Sequence, residues 1–457
     1  MSRHPTLEQL TMDWGSPQSV ALYLERCQVS TPSSLVQATW RHVRSLRDRI
    51  GKVVDFGAGD GRFSQYGSYN EYLGYEVDGR VCKDAPLPPK ARLLNQCAFA
   101  EDVVDADVCI GNPPFVRNQD LPTGWRERAS AVVQRRTGVA ISGLANAWQY
   151  FFFLSLASVK NDGLCALVIP YEWVSRPSAR ALRSYISGQR WNVSVYRLVD
   201  TTFNSVLTTS SVTIVDKAKR EGRWLYFEES ADGSFRELPS PTGDAAGIIP
   251  YRSRAESARD VPFAQRGLSP GTQKALTLTE GERVRLGLRI DRDVVPCVTS
   301  LRELPSGVTE LSEQSFAKYF RHTGQRCWLI RTDKEPGAAL AAYIDSVLPE
   351  TYQTKTCIKR AEWWRFRMPP VPRVLVSMSF KGAFPKAVRN VVGARAVGGV
   401  YGVFQTTEVQ EQVIASGLGG VDIRDRVVAH ANGLKKIEVN QLNSLLFDAF
   451  RNSTVSH

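Results

Sequence analysis

The sequence has few of the residues that build metal centres and disulfide frameworks. Its 457 residues include only eight cysteines and five histidines, and both kinds are dispersed along the chain. No two cysteines form a Cys-x-x-Cys pair, which argues against a zinc ribbon and leaves a disulfide framework unsupported. We therefore expect no metal site and no histidine-based nucleophile. This cysteine usage suits a reducing compartment such as the cytoplasm.

Long apolar runs are also missing. The most apolar stretch, residues 147–159, is shorter than the ~20 residues that a membrane-spanning helix needs. The N-terminus lacks the charged-then-apolar pattern of a signal peptide. We therefore expect a cytoplasmic protein that does not bind a membrane.

What is present is a globular composition with an uneven positive charge. Hydrophobic residues make up 43% and charged residues 23%, so a disordered chain is excluded. The net charge is +12, of which residues 251–457 carry +10. Residues 351–400 combine ten basic side chains with one acidic residue, Glu362, and with several aromatics. This composition favours a phosphate backbone as partner, although a solvated charged face would look the same.

Strands and helices alternate in the first half of the chain. We predict helix within residues 19–50 and again at 145–159 and 178–187. Predicted strands cover residues 52–56, 72–77, 92–95, 107–110, 163–170, 193–198 and 211–217. This alternation indicates an α/β fold with a mostly parallel sheet, which binds ligands at the carboxyl ends of its strands. Residues 228–262 have the composition of a linker, and a domain boundary near 245 divides the chain into 1–245 and 246–457.

A glycine-rich loop follows the first predicted strand. Gly57, Gly59 and Gly61 permit a tight turn and a close approach to a ligand. Glu76 ends the next strand, where a carboxylate accepts hydrogen bonds from ribose hydroxyls. Both features occur in dinucleotide enzymes and in S-adenosylmethionine (SAM) enzymes, and a plain strand–helix turn would also contain glycines.

A Gly-Asn-Pro-Pro-Phe turn follows the fourth predicted strand. Pro113 and Pro114 fix the backbone and remove two N–H donors. The side-chain oxygen of Asn112 and the carbonyl of Pro113 can accept both hydrogens of an amine, and Phe115 offers a flat face for stacking. The turn is therefore suited to hold a planar aromatic amine beside an electrophile.

Asn-Pro-Pro-Phe preceded by Asp-Phe-Gly-Ala-Gly-Asp-Gly resembles the N6-adenine DNA methyltransferases of restriction–modification systems. The order of the motifs resembles the gamma group, in which the SAM-binding half comes first. Residues 30–36, 150–154, 168–173 and 202–212 are similar to further segments of that family. The resemblance implies a Rossmann-like, SAM-dependent α/β methyltransferase domain in residues 1–245. It also implies a C-terminal, mixed α+β target recognition domain in residues 246–457.

The resemblance also implies site residues. The catalytic set is Asn112, Pro113, Pro114, Phe115 and Phe203, with the two phenylalanines packing on opposite faces of a flipped adenine. The SAM-binding set is Thr31, Asp55, Gly57, Gly59, Gly61, Glu76, Gln96 and Asn112. The candidate DNA-binding set is Lys359, Arg360, Arg365, Arg367, Lys381 and Lys386. The implied reaction is methyl transfer from SAM to N6 of adenine in double-stranded DNA, without a metal.

One segment departs from the family pattern. The third strand usually ends in an aspartate that binds the adenine amine of SAM, but residues 95–99 contain no carboxylate. The side-chain carbonyl of Gln96 could accept from the same amine. The departure concerns cofactor affinity more than the type of reaction.

Several alternatives stay open at this stage. Methyltransferases of RNA bases and of protein glutamine share the amine-holding turn, and a methyltransferase fold that binds DNA without catalysis would share the altered 95–99 segment. A nicotinamide oxidoreductase would use the glycine loop but not the Asn-Pro-Pro-Phe turn. Only about 29 residues precede the Thr-Pro helix start, so we expect a separate or absent restriction endonuclease rather than a fused one. We expect a monomer in a bacterial cytoplasm, associated with the nucleoid.

Overall fold

The structure is a computed structural model whose chain divides into two compact units. It describes residues 30–83, 85–100, 104–121, 123–198, 209–230, 232–238, 240, 249–252, 261–354, 356–427, 429–431 and 434–451. The first unit is Met1–Ala246 with His430–Asn432, and the second is Gly247–Ala429 with Gly433–His457. The assignment of these units to catalysis and to target recognition stays a prediction.

One large sheet forms the centre of the first unit. Within its described residues the strands are β1 Lys52–Phe56, β2 Glu71–Glu76, β3 Ala91–Asn95, β4 Ala106–Gly111, β5 Val159–Pro170, β6 Asn192–Arg197, β7 Ser210–Asp216, β8 Trp224–Glu229 and β9 Phe235–Leu238. Their order across the sheet is β3-β2-β1-β4-β5-β7-β6-β8-β9. The pairs from β3 to β5 are parallel, whereas β7 is antiparallel to both its neighbours. The mixed α/β fold with a large, mostly parallel sheet is as expected.

The helices of this unit, within its described residues, are α1 Ser33–Leu46, α2 Gly79–Lys83, α3 Thr123–Thr137, α4 Ala147–Ser158 and α5 Arg180–Gly188. All except the short α2 bury apolar side chains. Helix α1 buries Val36, Trp40 and Val43 completely, and the Trp40 indole donates to the Phe63 carbonyl at 2.7 Å. Helix α4 is apolar on nearly every face and almost wholly buried, as a helix inside a core must be.

Some parts of the first unit differ from the sequence prediction. The linker prediction for residues 228–262 is wrong at its start, because β8 reaches Glu229 and β9 adds the edge strand of the sheet. An edge strand can be polar, so its composition resembles that of a loop. Helix α3 was not predicted, although its buried residues Trp125, Ala129, Val132 and Val133 follow helical spacing. Of the predicted helix in residues 19–50, Ser33–Leu46 is helical, and residues 19–29 lie outside the described residues.

The described part of the second unit mixes short strands and helices around two larger apolar cores and one small one. Its strands, within the described residues, are β10 Phe263–Arg266, β11 Thr277–Leu278, β12 Val294–Val298, β13 Glu310–Leu311, β14 Trp328–Ile330, β15 Val374–Ser377, β16 Ser379–Phe380, β17 Ala387–Asn390, β18 Arg395–Ala396, β19 Val400–Phe404 and β21 Leu434–Lys436. Strand β20 Ala429–Ala431 has its first residue in this unit and the other two in the first unit. Its helical segments are α6 Gln273–Leu276, α7 Glu280–Arg285, α8 Glu313–Phe316, α9 Ala338–Ser346, α10 Pro349–Tyr352, α11 Glu408–Ala415, α12 Gly417–Gly420 and α13 Val439–Phe450. One sheet has the order β10-β19-β15-β17-β13 and another β11-β14-β12-β18.

Candidate active site

A cavity of about 260 Å³ lies at the carboxyl ends of four neighbouring parallel strands. The glycine loop follows β1, Glu76 ends β2, Gln96 follows β3 and the Asn-Pro-Pro-Phe turn follows β4. The structure thus brings most of the predicted SAM-binding residues into one lining. They are Thr31, Asp55, Gly57, Gly59, Glu76, Gln96 and Asn112, and the catalytic candidate Pro114 lines the cavity with them.

The glycine loop depends on conformations that favour glycine. Gly57 has φ +83° and Gly59 has φ +57°. The N–H groups of Gly57 and Ala58 donate to the carbonyl of Tyr75, at 2.9 and 3.0 Å, and so fix the loop to the end of β2. A Cβ at Gly57 would lie 3.2 Å from Cδ of Pro114, so the loop passes close to the Asn-Pro-Pro-Phe turn.

Glu76 is held by backbone donors. Its Oε2 accepts from the N–H of Gly59 and its Oε1 from the N–H of Asp78, both at 2.9 Å. Burial raises the pKa of the Glu76 carboxyl, while these N–H groups act in the opposite direction. The carboxylate is therefore fixed at the β2 end of the cavity, where the ribose acid was predicted.

Asp55 presents a buried oxygen that the described residues leave unsatisfied. The side chain is 0% exposed, and the Tyr72 hydroxyl donates to its Oδ2 at 2.6 Å. Its Oδ1 is buried without a hydrogen-bond partner. Burial raises the pKa of Asp55 to about 7, although the hydrogen bond from Tyr72 partly opposes this rise. The oxygen is suited to bind a cation that enters the cavity.

The amide nitrogen of Asn112 makes a hydrogen bond within the described residues, whereas its oxygen does not. Its Nδ2 donates to Oγ1 of Thr31 at 3.0 Å. Its Oδ1 is buried and has no partner. Because Thr31 fixes the amide, the orientation leaves the acceptor atom, rather than the donor, for a ligand.

A bridge made by Arg62 was not anticipated from the sequence. Its guanidinium binds both carboxylate oxygens of Asp60 and donates to the carbonyl of Thr31 at 2.5 Å. It therefore ties the segment before α1 to the glycine loop. All three residues line the cavity. Because Arg62 and Thr31 are 31 positions apart in the chain, their contact produces no local pattern that sequence analysis could detect.

Aromatic side chains form another part of the lining. Trp125 from α3 and Phe151 from α4 both border the cavity, with ring centroids 6.3 Å apart. Phe99 packs edge-on against both rings, at 5.3 and 5.1 Å. Phe151 falls within the family-like stretch 150–154, whereas the helical spacing around Trp125 was the only signal for that residue.

Three other predicted residues that the structure describes, Pro113, Phe115 and Gly61, do not line this cavity. Phe115 is half-buried, Pro113 is buried and Gly61 begins the turn Arg62–Gln65 with φ +70°. Phe203 lies outside the described residues, so its predicted packing on a base stays a prediction.

The candidate DNA-binding residues of the second unit fall into two groups. Lys359, Arg367 and Lys381 are exposed, and no ion pair engages them within the described part of the chain. In contrast, Lys386 donates its Nζ to the carbonyls of Arg302 and Leu304, both at 2.5 Å. The first three cations are therefore available to a ligand, whereas Lys386 is engaged internally.

Arg365 and Arg360 are also engaged. Arg365 pairs with Glu335 at 3.1 Å and with Glu362 at 2.5 Å. Arg360 donates to the carbonyl of Trp363 at 3.2 Å, and its guanidinium lies 5.4 Å from the ring centroid of Phe366.

No helix in the described ranges is long and apolar enough to cross a bilayer.

Comparisons with known proteins agree with this geometry. Residues 87–204 match the family described as Eco57I restriction-modification methylase. The chain is 21% identical over 470 aligned residues to the type II methyltransferase M.XamI of Xanthomonas campestris pv. amaranthicola, covering 93% of this chain and 85% of that protein. It is 18% identical to the type II methyltransferase M.AccI of Acinetobacter calcoaceticus, covering 74% and 68%.

A solved structure shows the same fold. The type IIL restriction-modification enzyme MmeI, in complex with DNA, aligns with a TM-score of 0.58 and 11% identity, covering 96% of this chain and 66% of that chain. The chain thus spans about two thirds of that enzyme. The resemblance seen in the motifs is confirmed: the chain is similar to the methyltransferases of restriction-modification systems, and its residues 87–204 match their Eco57I family.

Proposed function

We propose that the chain is a site-specific DNA methyltransferase that transfers a methyl group from SAM to N6 of a flipped adenine in double-stranded DNA. The observation that carries this proposal is the unpaired Oδ1 of Asn112, which is fixed by Thr31 at the edge of a cavity with a glycine-rich wall. A buried acceptor at that position suits an amine of the substrate.

The residues of the cavity fit SAM. The unpaired Oδ1 of Asp55 suits the ammonium group of the methionine part, near Thr31. Glu76 would hold the ribose hydroxyls, and Gln96 would lie at the adenine. When bound, SAM supplies an electrophilic methyl group on a sulfonium. The glycines leave room for the backbone to approach the ligand.

The chain's own residues act by orienting the amine. Asn112 Oδ1 and the Pro113 carbonyl accept the two N6 hydrogens, so the nitrogen lone pair turns away from the ring and toward the methyl group. Phe115 and Phe203 would stack on the base. The adenine must leave the duplex first, at a cost of a few kcal/mol. Positioning of this kind contributes ~7–11 kcal/mol in favourable cases.

The second unit would bind the duplex. Lys359, Arg367 and Lys381 suit phosphate contacts, because they are exposed and without an ion pair among the described residues. We also propose that the protein acts as a monomer in a bacterial cytoplasm.

Incubation with tritium-labelled SAM and separate DNA, tRNA and protein substrates tests the proposal. We expect label in duplex DNA, recovered as N6-methyldeoxyadenosine by mass spectrometry. Label in tRNA or in protein glutamine would instead support the alternative methyltransferases. Binding of duplex DNA without binding of SAM and without transfer to any substrate would indicate a methyltransferase fold that binds DNA without catalysis. Long-read sequencing of DNA from expressing cells then identifies the modified site and strand.

A further inference from the structure

The Nε2 of Gln96 is a third buried polar atom in the cavity lining without a hydrogen-bond partner among the described residues, after Oδ1 of Asp55 and Oδ1 of Asn112. The Gln96 side chain is 6% exposed. Gln96 lines the same cavity as Glu76 and Asn112. Because buried donors in folded proteins are nearly always paired, this Nε2 is suited to an acceptor that a ligand brings.

The order of the strands indicates which part of a ligand would meet Gln96. Across the sheet the sequence of strands is β3-β2-β1-β4. Gln96 follows β3, Glu76 ends β2 and Asn112 follows β4. If the proposed function holds, the methyl group lies at Asn112 and the ribose at Glu76. The base of the cofactor then lies beyond the ribose, at the β3 end.

The chemistry of an amide differs from that of a carboxylate at this position. A carboxylate only accepts hydrogen bonds, whereas an amide offers one acceptor and one donor side by side. The edge of adenine pairs the N6 amine, a donor, with the ring nitrogen N1, an acceptor. A glutamine can therefore meet both atoms at once, as it does with other edges of adenine.

We propose that Gln96 is a specificity-determining residue that both accepts a hydrogen bond from the cofactor's adenine and donates one to it. Its Oε1 accepts from N6, and its Nε2 donates to N1. The cavity then recognises the base by two neutral hydrogen bonds. Binding requires the N1 acceptor as well as the amine, which a carboxylate at this position would not demand.

Calorimetric titration with S-adenosylhomocysteine and its 1-deaza analogue tests the proposal. The analogue keeps N6 and replaces N1 by a C–H group, so it would leave the buried Nε2 unpaired. We expect the full-length protein to bind the analogue at least about tenfold more weakly. Equal binding of the two ligands would overturn the role of Gln96 and leave the proposed function intact. Absence of binding by S-adenosylhomocysteine itself would instead count against the proposed function.

A variant connects the preference to the side chain. Gln96→Met keeps the length of the side chain and removes both hydrogen bonds, so we expect it to bind the two ligands equally weakly. Gln65→Met is the matched control, because Gln65 is an exposed glutamine of the same unit whose Nε2 donates to the Pro86 carbonyl outside the cavity lining. It should retain the wild-type preference. A preference that persists in Gln96→Met would refute the assignment. If that variant fails to fold, Gln96→Glu takes its place, because a carboxylate keeps the acceptor and removes the donor, so it should also lose the preference.

Discussion

At the scale of single residues, a substitution of Asn112 should distinguish the methyl-transfer step from cofactor binding. We expect Asn112→Ala to lower the rate of methyl transfer by at least about 100-fold, because the acceptor for N6 is removed. The affinity for S-adenosylhomocysteine should change far less. Steady-state assays with labelled SAM, beside calorimetry, measure both quantities.

Two further variants sharpen that comparison. Asn112→Asp keeps an acceptor oxygen and should retain more activity than Asn112→Ala. Thr31→Val removes the partner of Nδ2 but not the acceptor, so its effect on the rate should be the smaller one. Wild-type turnover by Asn112→Ala would eliminate the proposed role.

The raised pKa of Asp55 predicts a pH dependence. Its pKa of about 7 in the folded protein lies above the ordinary value of 3.8, so the folded state binds more protons. Stability of the ligand-free protein should therefore fall as pH rises from about 4 to about 7, and this contribution should level off above. Thermal unfolding of the wild-type protein and of Asp55→Asn measures it. The stability of Asp55→Asn should depend less on pH than that of the wild-type protein. Parallel dependences would contradict a raised pKa of the buried Asp55 carboxyl.

The same carboxyl predicts the opposite trend for the ligand. An ammonium group favours the ionised form of Asp55, so affinity for S-adenosylhomocysteine should fall as pH drops below about 7. Calorimetry between about pH 5.5 and about 8 tests this trend. Asp55→Asn should bind weakly throughout that range and with little dependence on pH.

At the scale of elements, the contact between β1 and β4 leaves no room for a side chain at Gly111. A Cβ there would lie 2.1 Å from Oδ1 of Asp55. Gly111→Ala should therefore lower the free energy of unfolding by ~1–3 kcal/mol, because the buried carboxylate must move. Gly143→Ala is the control, since a Cβ at Gly143 meets no atom within 4 Å. Urea denaturation of both variants measures the difference. Equal free energies of unfolding for the two variants would show that β4 accommodates the added methyl group without cost.

The sequence predicted the elements that have a strong local signal. Strand β1 and the turns around it were found because a short apolar run stands between turn residues. Strand β5 begins at Val159 rather than 163. Val159 pairs with Ala106, and the register then shifts before Leu164 pairs with Val108. Strand β9 was read as linker because an edge strand can be polar. The order of strands depends on contacts between distant parts of the chain, which periodicity does not encode.

The candidate site was predicted unevenly for a similar reason. Glycines and the Asn-Pro-Pro-Phe turn are readable because their residue types are themselves unusual. The bridge from Arg62 to Thr31 depends on tertiary packing, and so does the wall made by Trp125. Lys381 and Lys386 look alike in sequence, and only the structure separates the exposed cation from the anchored one.

At the scale of the whole molecule, the positive charge of the second unit predicts salt-dependent DNA binding. We expect the triple variant Lys359→Ala, Arg367→Ala, Lys381→Ala to weaken duplex binding at low salt. The slope of log affinity against log salt should become shallower by ~0.9 for each phosphate that the variant no longer neutralises. Fluorescence anisotropy over a salt series measures this slope.

Lys386→Ala is the comparison for that experiment. Because its Nζ is bound to two backbone carbonyls, we expect its removal to reduce thermal stability and to leave the salt slope unchanged. A triple variant with the wild-type slope would place the duplex elsewhere on the protein.

The two backbone N–H groups that donate to the Glu76 carboxylate also determine when this side chain loses its conformational freedom. A flexible glutamate would have to give up its rotamers at the moment a ligand arrives, and that entropy would subtract from affinity. Here Gly59 and Asp78 already fix the carboxylate in the ligand-free chain. Its rotational entropy is therefore lost during folding, and each oxygen retains a lone pair for a hydroxyl. The folded protein is preorganised at this end of the cavity.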